Sequence, residues 1–432
     1  LSLGIKPEPE PEGTFVMPYA GLLCHRRDDW LATVRGQSKY VWGSERQAQR
    51  NCFGAFQSLG TLEILAGGTP VTAEASGRTH LGWDWRRFEG TTVPQVPIRE
   101  IDQLWKSRGQ VFSPETFVGG LSHQARQGMF AMIVNQPMPD GQTLTGRKSW
   151  FLHDNQILCL GSDISCGDTR CPTQTTLCQK ALAADDQGAF PPTAVDGKDI
   201  TALPHEQALE PSGPHWFIDT QQTGYWLPPG QDITVARTHQ TSRDFYDSED
   251  TEGDFLAAWI NHGTAPDNAS YEYLAVVRAT PEVLAGLEAR QPYQVFQRDA
   301  TAHIVRHRDG CLWGCAFFLP QEVARHTEGA DTLPVAAVDR PCLIMAANAP
   351  DGNVALSVAD PDLNLVDGAA EPRPLRVTLR GGFRLLDVTE TVCAWPLGEE
   401  PPEVHIVSSD AETTVIEIVC KHGASYNMKL AR

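Results

Sequence analysis

The stretch KSWFLHDNQILCLGSDI, Lys148 to Ile164, sets two short apolar runs on either side of a polar triplet. Ser149 to Leu152 and Gln156 to Leu160 read as strands, and His153-Asp154-Asn155 is a cluster of the kind that reverses a chain. The stretch therefore predicts a β-hairpin. Outward from it the same grammar repeats, with short apolar runs broken by Gly, Pro, Asn and Asp. Trp30 to Val34, Met129 to Val134, Ile233 to Ala236, Tyr273 to Val277 and His303 to Val305 each predict a strand. Near the end, Leu375 to Leu379 leads through Arg380-Gly381-Gly382 into Phe383 to Leu386. Val404 to Val407 and Thr413 to Val419, around Ser408-Ser409-Asp410, predict a terminal hairpin. Helical signals are few. Glu100 to Trp105 is one, and Pro281 to Ala289 is another, opened by Thr280 as cap, Pro281 in the first position and Glu282 in the first turn.

The chain has 432 residues, 41% hydrophobic and 21% charged, which excludes a disordered polymer and allows two or three domains. Its 37 glycines and 31 prolines suit the many turns of an all-β protein. A formal net charge of −19 argues against a nucleic-acid partner, which needs a basic face. An acidic sugar would likewise need basic residues gathered locally. Arg26-Arg27 and Arg86-Arg87 are candidates, with a solvated surface as the alternative. Eleven cysteines leave disulfides and buried thiols both open. No apolar run reaches the roughly 20 residues of a membrane span. No signal peptide is evident, and the first residue is Leu1, which suggests a piece of something longer. PEPEPEG before Thr14 predicts an extended linker over residues 1–14.

Seven motifs, in order, resemble the polysaccharide lyases that degrade chondroitin, hyaluronan and xanthan, and resemble the chondroitin ABC type most. They are HRRDDW (His25 to Trp30), VWGSE (Val41 to Glu45), GWDWRRFEGTT (Gly82 to Thr92), the hairpin with its trailing TTL (Thr175 to Leu177), TEGDFLAAWINHGT (Thr251 to Thr264), ASYEY (Ala269 to Tyr273) and PDLNL (Pro361 to Leu365). The resemblance implies an all-β chain. A large antiparallel β-sandwich of the galactose-mutarotase-like supersandwich type would occupy residues 15–335, and a smaller C-terminal β-domain residues 336–432. The boundary is placed around 320–345, where PQEVARHTEGADTLPVAAVDRP (Pro320 to Pro341) reads as a polar connecting segment before a new set of strands. It also implies β-elimination at a uronic acid of chondroitin sulfate, dermatan sulfate or hyaluronan, in a secreted or periplasmic setting. In the family a helical α/α-toroid supplies Tyr, His, Asn and Arg to that chemistry. The toroid is expected upstream or on a separate chain, so this chain alone is expected to be incomplete and inactive. Glu45 matches the one glutamate the sandwich contributes, in a supporting role. A non-catalytic carbohydrate-binding sandwich is the alternative.

Four further residues come from side-chain chemistry. Trp83 and Trp85 beside Arg86 and Arg87 predict an aromatic and basic sugar platform, since sugars stack on indoles and Arg holds sulfate or carboxylate. Alternation along a strand suits a core role for the two tryptophans equally. Asp84 and Glu89 are conceivable ligands for a divalent cation, but no clustered carboxylates name a metal, and no cofactor is predicted. His215, His239 and His262 share no metal spacing and are expected to be structural. Asn268-Ala269-Ser270 is an incidental sequon, and no Gly-x-Ser-x-Gly elbow supports a serine nucleophile.

Overall fold

The computed structural model describes residues 11–48, 50–105, 109–309, 311–328, 331–391 and 403–432. Residues 1–10 of the expected linker lie outside that set, and Gly13 already opens a strand. The protein is all-β. Its hairpin pairs Thr143–His153 with Gln156–Cys166 through a two-residue turn, His153 opposite Gln156. Asp154 takes the left-handed conformation in that turn, with φ 47°.

The hairpin is the middle of a nine-stranded antiparallel sheet. Val118–His123, Gln127–Pro137 and the hairpin lie together, followed by Ala269–Val277 and then Thr223–Leu227. Successive side chains point to opposite faces, and here both faces are buried. Trp150, Leu152, Ile157 and Cys159 enter one core, while Phe151, Leu158 and Leu160 enter another. That is why the hairpin reads as continuous apolar runs instead of an alternating pattern.

The first core is closed by a five-stranded sheet that includes Pro172–Ala181, Ile233–Arg243 and Asp250–Thr264. A four-stranded sheet of Gly13–Met17, Leu22–Arg27, Trp30–Arg35 and Thr61–Leu65 adds Leu23, Ala32, Val34 and Ile64 to the same core. On the opposite face lies a seven-stranded sheet, which includes Ala302–His307, Leu312–Phe317 and Cys342–Asn348. It sends Val305, Leu312 and Met345 toward the nine-stranded sheet, and Ile304, Trp313 and Ile344 toward a last five-stranded sheet. Four layers therefore share three cores. The seven-stranded sheet joins strands from both sides of residue 335, with Leu312–Phe317 paired to Cys342–Asn348. The expected division at 335/336 thus runs through one sheet, because strand pairing and linker composition part company there. The terminal hairpin forms as expected, Val404–Ser409 against Thr413–Cys420.

Polar pins cross the face between the nine- and seven-stranded sheets. His303 bonds Ser149 Oγ at 2.7 Å and Ser162 Oγ at 2.8 Å. His123 bonds Ser357 Oγ at 2.7 Å, and that hydroxyl donates to Asn427 at 2.6 Å. Phe151 fits the same face because Gly314 has no side chain; a Cβ there would come within 2.6 Å of its ring. Outside this face, His25 holds the hairpin turn. Its Nε2 bonds the Asp154 carbonyl at 2.8 Å and its Nδ1 bonds Thr14 Oγ1 at 2.7 Å. The buried Lys148 ammonium, pushed down to about 7 by burial, donates to the carbonyls of Leu59 (3.1 Å) and Gly90.

The short helix Ile98–Asp102 starts two residues earlier than the sequence suggests. The second helical signal forms as two turns, Pro281–Ala285 and Leu287–Arg290, with Thr280 accepting from Val283 N–H. The cysteines Cys159, Cys166, Cys178 and Cys342 are free thiols.

These buried imidazoles set an acid limit. Burial pushes His25, His123, His262 and His307 down to about 4 and His303 to about 3. They stay neutral in the fold, whereas in the unfolded chain they take up a proton near pH ~6.5. Stability is therefore complete above that pH and is lost as pH falls toward 4, by about 2 kcal/mol per residue at about pH 5. Glu89 and Asp360, raised to about 6 by burial, act in the opposite sense over the same window, each by less. Urea unfolding at about pH 7.5 and about pH 5 is expected to show a net loss of several kcal/mol at the lower pH. Equal stabilities at the two would contradict this account.

Candidate functional site

Glu45 lies on a two-stranded ribbon, Ser44–Glu45 against Gln110–Val111, with Glu45 opposite Gln110. Alternation turns Ser44 into the protein and leaves Glu45 exposed. The contact to its carboxylate among the described residues is Gln110 Nε2 at 3.5 Å. At the Ser44/Val111 end of the ribbon stand Trp42 and Phe112, 46% and 39% exposed, meeting edge to face at 6.2 Å. An exposed carboxylate thus sits beside an exposed aromatic pair, the composition of a contact surface.

The backbone after Glu45 is held in sparsely populated conformations. Ala48 and Asn51 have φ of 54° and 57°. Asn51 is buried and donates from Nδ2 to the Glu45 carbonyl at 2.9 Å. A Cβ on Gly54 would fall 1.9 Å from Asn51 Oδ1, so the asparagine fits only against glycine. Arg46 ties the ribbon to the short helix through an ion pair with Asp102, and its N–H donates to Gly109 O at 2.6 Å. The exposed carboxylate is therefore mounted on a fixed base.

The other predicted residues fall in two further places, apart from each other. In Leu22–Arg27, alternation turns Arg26 outward and Arg27 inward. Arg27 is 8% exposed and donates to the Arg126 carbonyl and to Gln127 Oε1 at 3.2 Å, so it braces the hairpin turn and cannot reach a ligand. Trp83 and Trp85 are core residues, 5% and 2% exposed, and the sugar platform does not form from them. The expected strand is also absent: Gly82 to Gly90 runs in turns and irregular backbone. Trp85 Nε1 donates to Arg243 O at 2.9 Å, and Trp83 packs against Phe88 and Phe255.

Arg86 and Arg87 do face a groove of about 750 Å3, on the outer side of the five-stranded sheet. The aromatic beside them is Trp259, whose ring lies 3.8 Å from the Arg87 guanidinium carbon. Trp259 stands in TEGDFLAAWINHGT with no arginine near it in sequence, and strand pairing with Pro172–Ala181 and Ile233–Arg243 places it in this sheet. The groove is nearly neutral. Arg86 grips Asp84 at 2.7 and 2.9 Å, Arg87 lies 3.4 Å from the same carboxylate, and Arg243 is held by Asp247 and Asp250. Burial works against the Asp84 charge, yet the two arginines keep its carboxyl below the usual range. Burial outweighs Asp84 at Arg87 and brings it down to about 10.

Asp84 and Glu89 do not form a cation site. The arginines take Asp84, and Glu89 bonds Lys180 Nζ at 3.0 Å, with burial raising its carboxyl despite that partner. Among the described residues no group of three or more His, Cys, Asp or Glu could hold a metal. His215 bonds Asp196 (2.7 Å), His239 bonds Asp254 (2.9 Å) and His262 bonds Thr175 (2.8 Å), each in its own structural pair.

Comparison with known proteins gives the family and the fold. Residues 17–287 match the family described as polysaccharide lyase family 8, super-sandwich domain. The chain is 28% identical to chondroitin sulfate ABC exolyase of Bacteroides thetaiotaomicron, covering 99% of this chain and 42% of that protein. It is 28% identical to chondroitin sulfate ABC endolyase of Proteus vulgaris, over 90% of this chain and 37% of that protein. The exolyase of the same organism is 31% identical, over 84% and 36%. The chain therefore spans well under half the length of these relatives. Among solved structures it resembles Paenibacillus xanthan lyase (TM-score 0.77, 18% identity, 98% of this chain and 38% of that one). It also resembles chondroitin AC lyase of Streptomyces coelicolor A3 (TM-score 0.75, 20% identity, 98% and 50%).

The mounting of Glu45 can be tested without any substrate. Asn51→Ala removes the bond to the Glu45 carbonyl and leaves a left-handed alanine, and should cost about 1–2 kcal/mol. Asn51→Gly, which adopts that conformation freely, should cost less. Urea unfolding of the two variants checks the order, and an alanine variant as stable as the wild type would remove the strain argument.

Proposed function

The chain belongs to polysaccharide lyase family 8, and we propose that it is the super-sandwich and C-terminal portion of a lyase acting on chondroitin sulfate, dermatan sulfate or hyaluronan. The reaction is β-elimination at the uronic acid. A base removes the C5 proton, the uronate carboxylate is neutralised as charge develops, and an acid protonates the departing 4-linked oxygen. These roles go to an α/α-toroid in the rest of the protein or on a separate chain. The observation that carries the reading is the exposed Glu45 on its braced ribbon beside Trp42 and Phe112. A carboxylate so mounted is suited to accept hydrogen bonds from a Tyr or Arg across a domain contact and to orient them. The polymeric substrate puts the protein in a secreted or periplasmic setting.

A second reading is a carbohydrate-binding sandwich without catalysis. The groove where Arg87 lies over Trp259 favours it, since it joins an indole to guanidinium groups. Loss of chondroitin sulfate binding in Arg86→Ala and Arg87→Ala variants, with cleavage absent in every context, would select it.

For the first reading, the chain joined to its toroid should release unsaturated uronate products, detected by ultraviolet absorbance, and the chain alone should not. Glu45→Ala in the joined protein should lower kcat on the order of 10–100-fold with a smaller effect on KM. Cleavage at a normal rate by the 432-residue chain alone would show that no toroid is needed.

A further inference from the structure

The outer face of the four-stranded sheet carries a groove of about 530 Å3, well inside the range of small-molecule sites. Strand alternation builds its floor. In Trp30–Arg35 and Thr61–Leu65 the residues Thr33, Arg35, Thr61 and Glu63 point outward, while Ala32, Val34, Leu62 and Ile64 enter the core. Register sets Arg35 opposite Thr61 and Thr33 opposite Glu63. The rim is aromatic: Tyr19, Tyr40 and Trp42 all line the groove. Tyr19 is fixed by a 2.6 Å bond to His422, and the Tyr40 hydroxyl lies near Asp362 and Arg373, so residues of the C-terminal part of the chain hold the rim in place.

Arg35 is unlike the arginines of the other groove. Glu63, the carboxylate in the lining, is engaged by Arg78, and no carboxylate pairs with Arg35 among the described residues. Its Nε is buried with no hydrogen-bond partner. Burial also lowers its pKa, as expected where no counter-charge repays desolvation. Guanidinium groups withdrawn from water are seldom left without an acceptor. Thr33 and Thr61 share its face of the sheet, and the rings of Tyr19, Tyr40 and Trp42 line the same groove. Together they form a polar cleft with one open cation and stacking faces, in a protein whose net charge of −19 gives an anion no long-range attraction.

We propose that this groove is a subsite for one anionic sugar unit of a glycan, with Arg35 binding its sulfate or carboxylate and the Tyr40 and Trp42 rings stacking on the sugar. Trp42 belongs both to this rim and to the surface around Glu45, so the subsite continues from that surface along an extended polymer. The proposal rests on the reading that the protein meets glycosaminoglycan, but not on catalysis by this chain. The test uses the whole 432-residue chain and tryptophan fluorescence titration with hexasaccharides of chondroitin sulfate, of hyaluronan and of neutral N-acetylglucosamine. The sulfated and the carboxylate-only ligands separate the two anions, and the neutral one tests the need for charge.

Arg35→Gln should weaken binding of the anionic hexasaccharides at least ~10-fold, the equivalent of about 1.4 kcal/mol. Arg35→Lys should keep most of the affinity, and Trp42→Ala should lose it. Arg376→Ala, an exposed arginine paired with Glu417 away from both grooves, should leave affinity unchanged. Unaltered thermal melts establish that the variants fold. An unchanged affinity in Arg35→Gln overturns the subsite, as does equal binding of the neutral hexasaccharide or no binding to the wild type. None of these results bears on whether the protein joined to its toroid releases unsaturated product, so the two readings fail separately.

Discussion

The fold depends on the middle of one sheet having no solvent face. The nine-stranded sheet must satisfy apolar packing on both sides, so neighbouring residues such as Trp150 and Phe151 serve different cores. Each buried aromatic of this kind contributes roughly 1.5–3 kcal/mol relative to exposure. On the face toward the seven-stranded sheet, polar side chains join in closed sets. His303 between Ser149 and Ser162 is one, and His123 with Ser357 and Asn427 is another. An unpaired polar atom on such a face would cost on the order of 1–3 kcal/mol. These pins fix the register between the two central layers while the apolar contacts supply most of the adhesion.

The sequence was most legible where local chemistry and tertiary packing agree. The hairpin is readable because Asp154-Asn155 can reverse the chain in two residues and the flanking runs are too apolar to face water. The terminal hairpin and the Thr280 cap are readable on similar grounds. Legibility fails where the partner is distant. Trp83 and Trp85 look like alternating strand residues, but Asp84 bonds the Arg86 N–H at 3.0 Å and the segment turns instead. Trp259 takes their place in the groove through strand pairing that no local pattern encodes. The division near 335 was read from a polar connecting segment, whereas the seven-stranded sheet is assembled across it.

Arginine is the residue on which the candidate sites diverge. Arg27 is spent on the carbonyls of Arg26 and Arg126, and Arg86, Arg87 and Arg243 on nearby carboxylates. Arg35 stands on a sheet face whose carboxylate belongs to another arginine. Parity along the strand distinguishes Arg26 from Arg27, a signal the sequence does carry. Which guanidinium remains uncompensated is a property of three-dimensional neighbours, and sequence could not have singled out Arg35. The same holds for Glu45. Its exposure follows from a ribbon of two residues per strand, too short to leave a periodic trace.

The shared sheet also bears on how the gene can be cut. The family match ends at residue 287, a natural place to truncate an expression clone. A chain ending there would keep Phe151, Leu158, Leu160 and Leu274 but lose Val305, Leu312, Leu343 and Met345, which cover them. The fragment would carry a broad adhesive surface and would tend to self-associate.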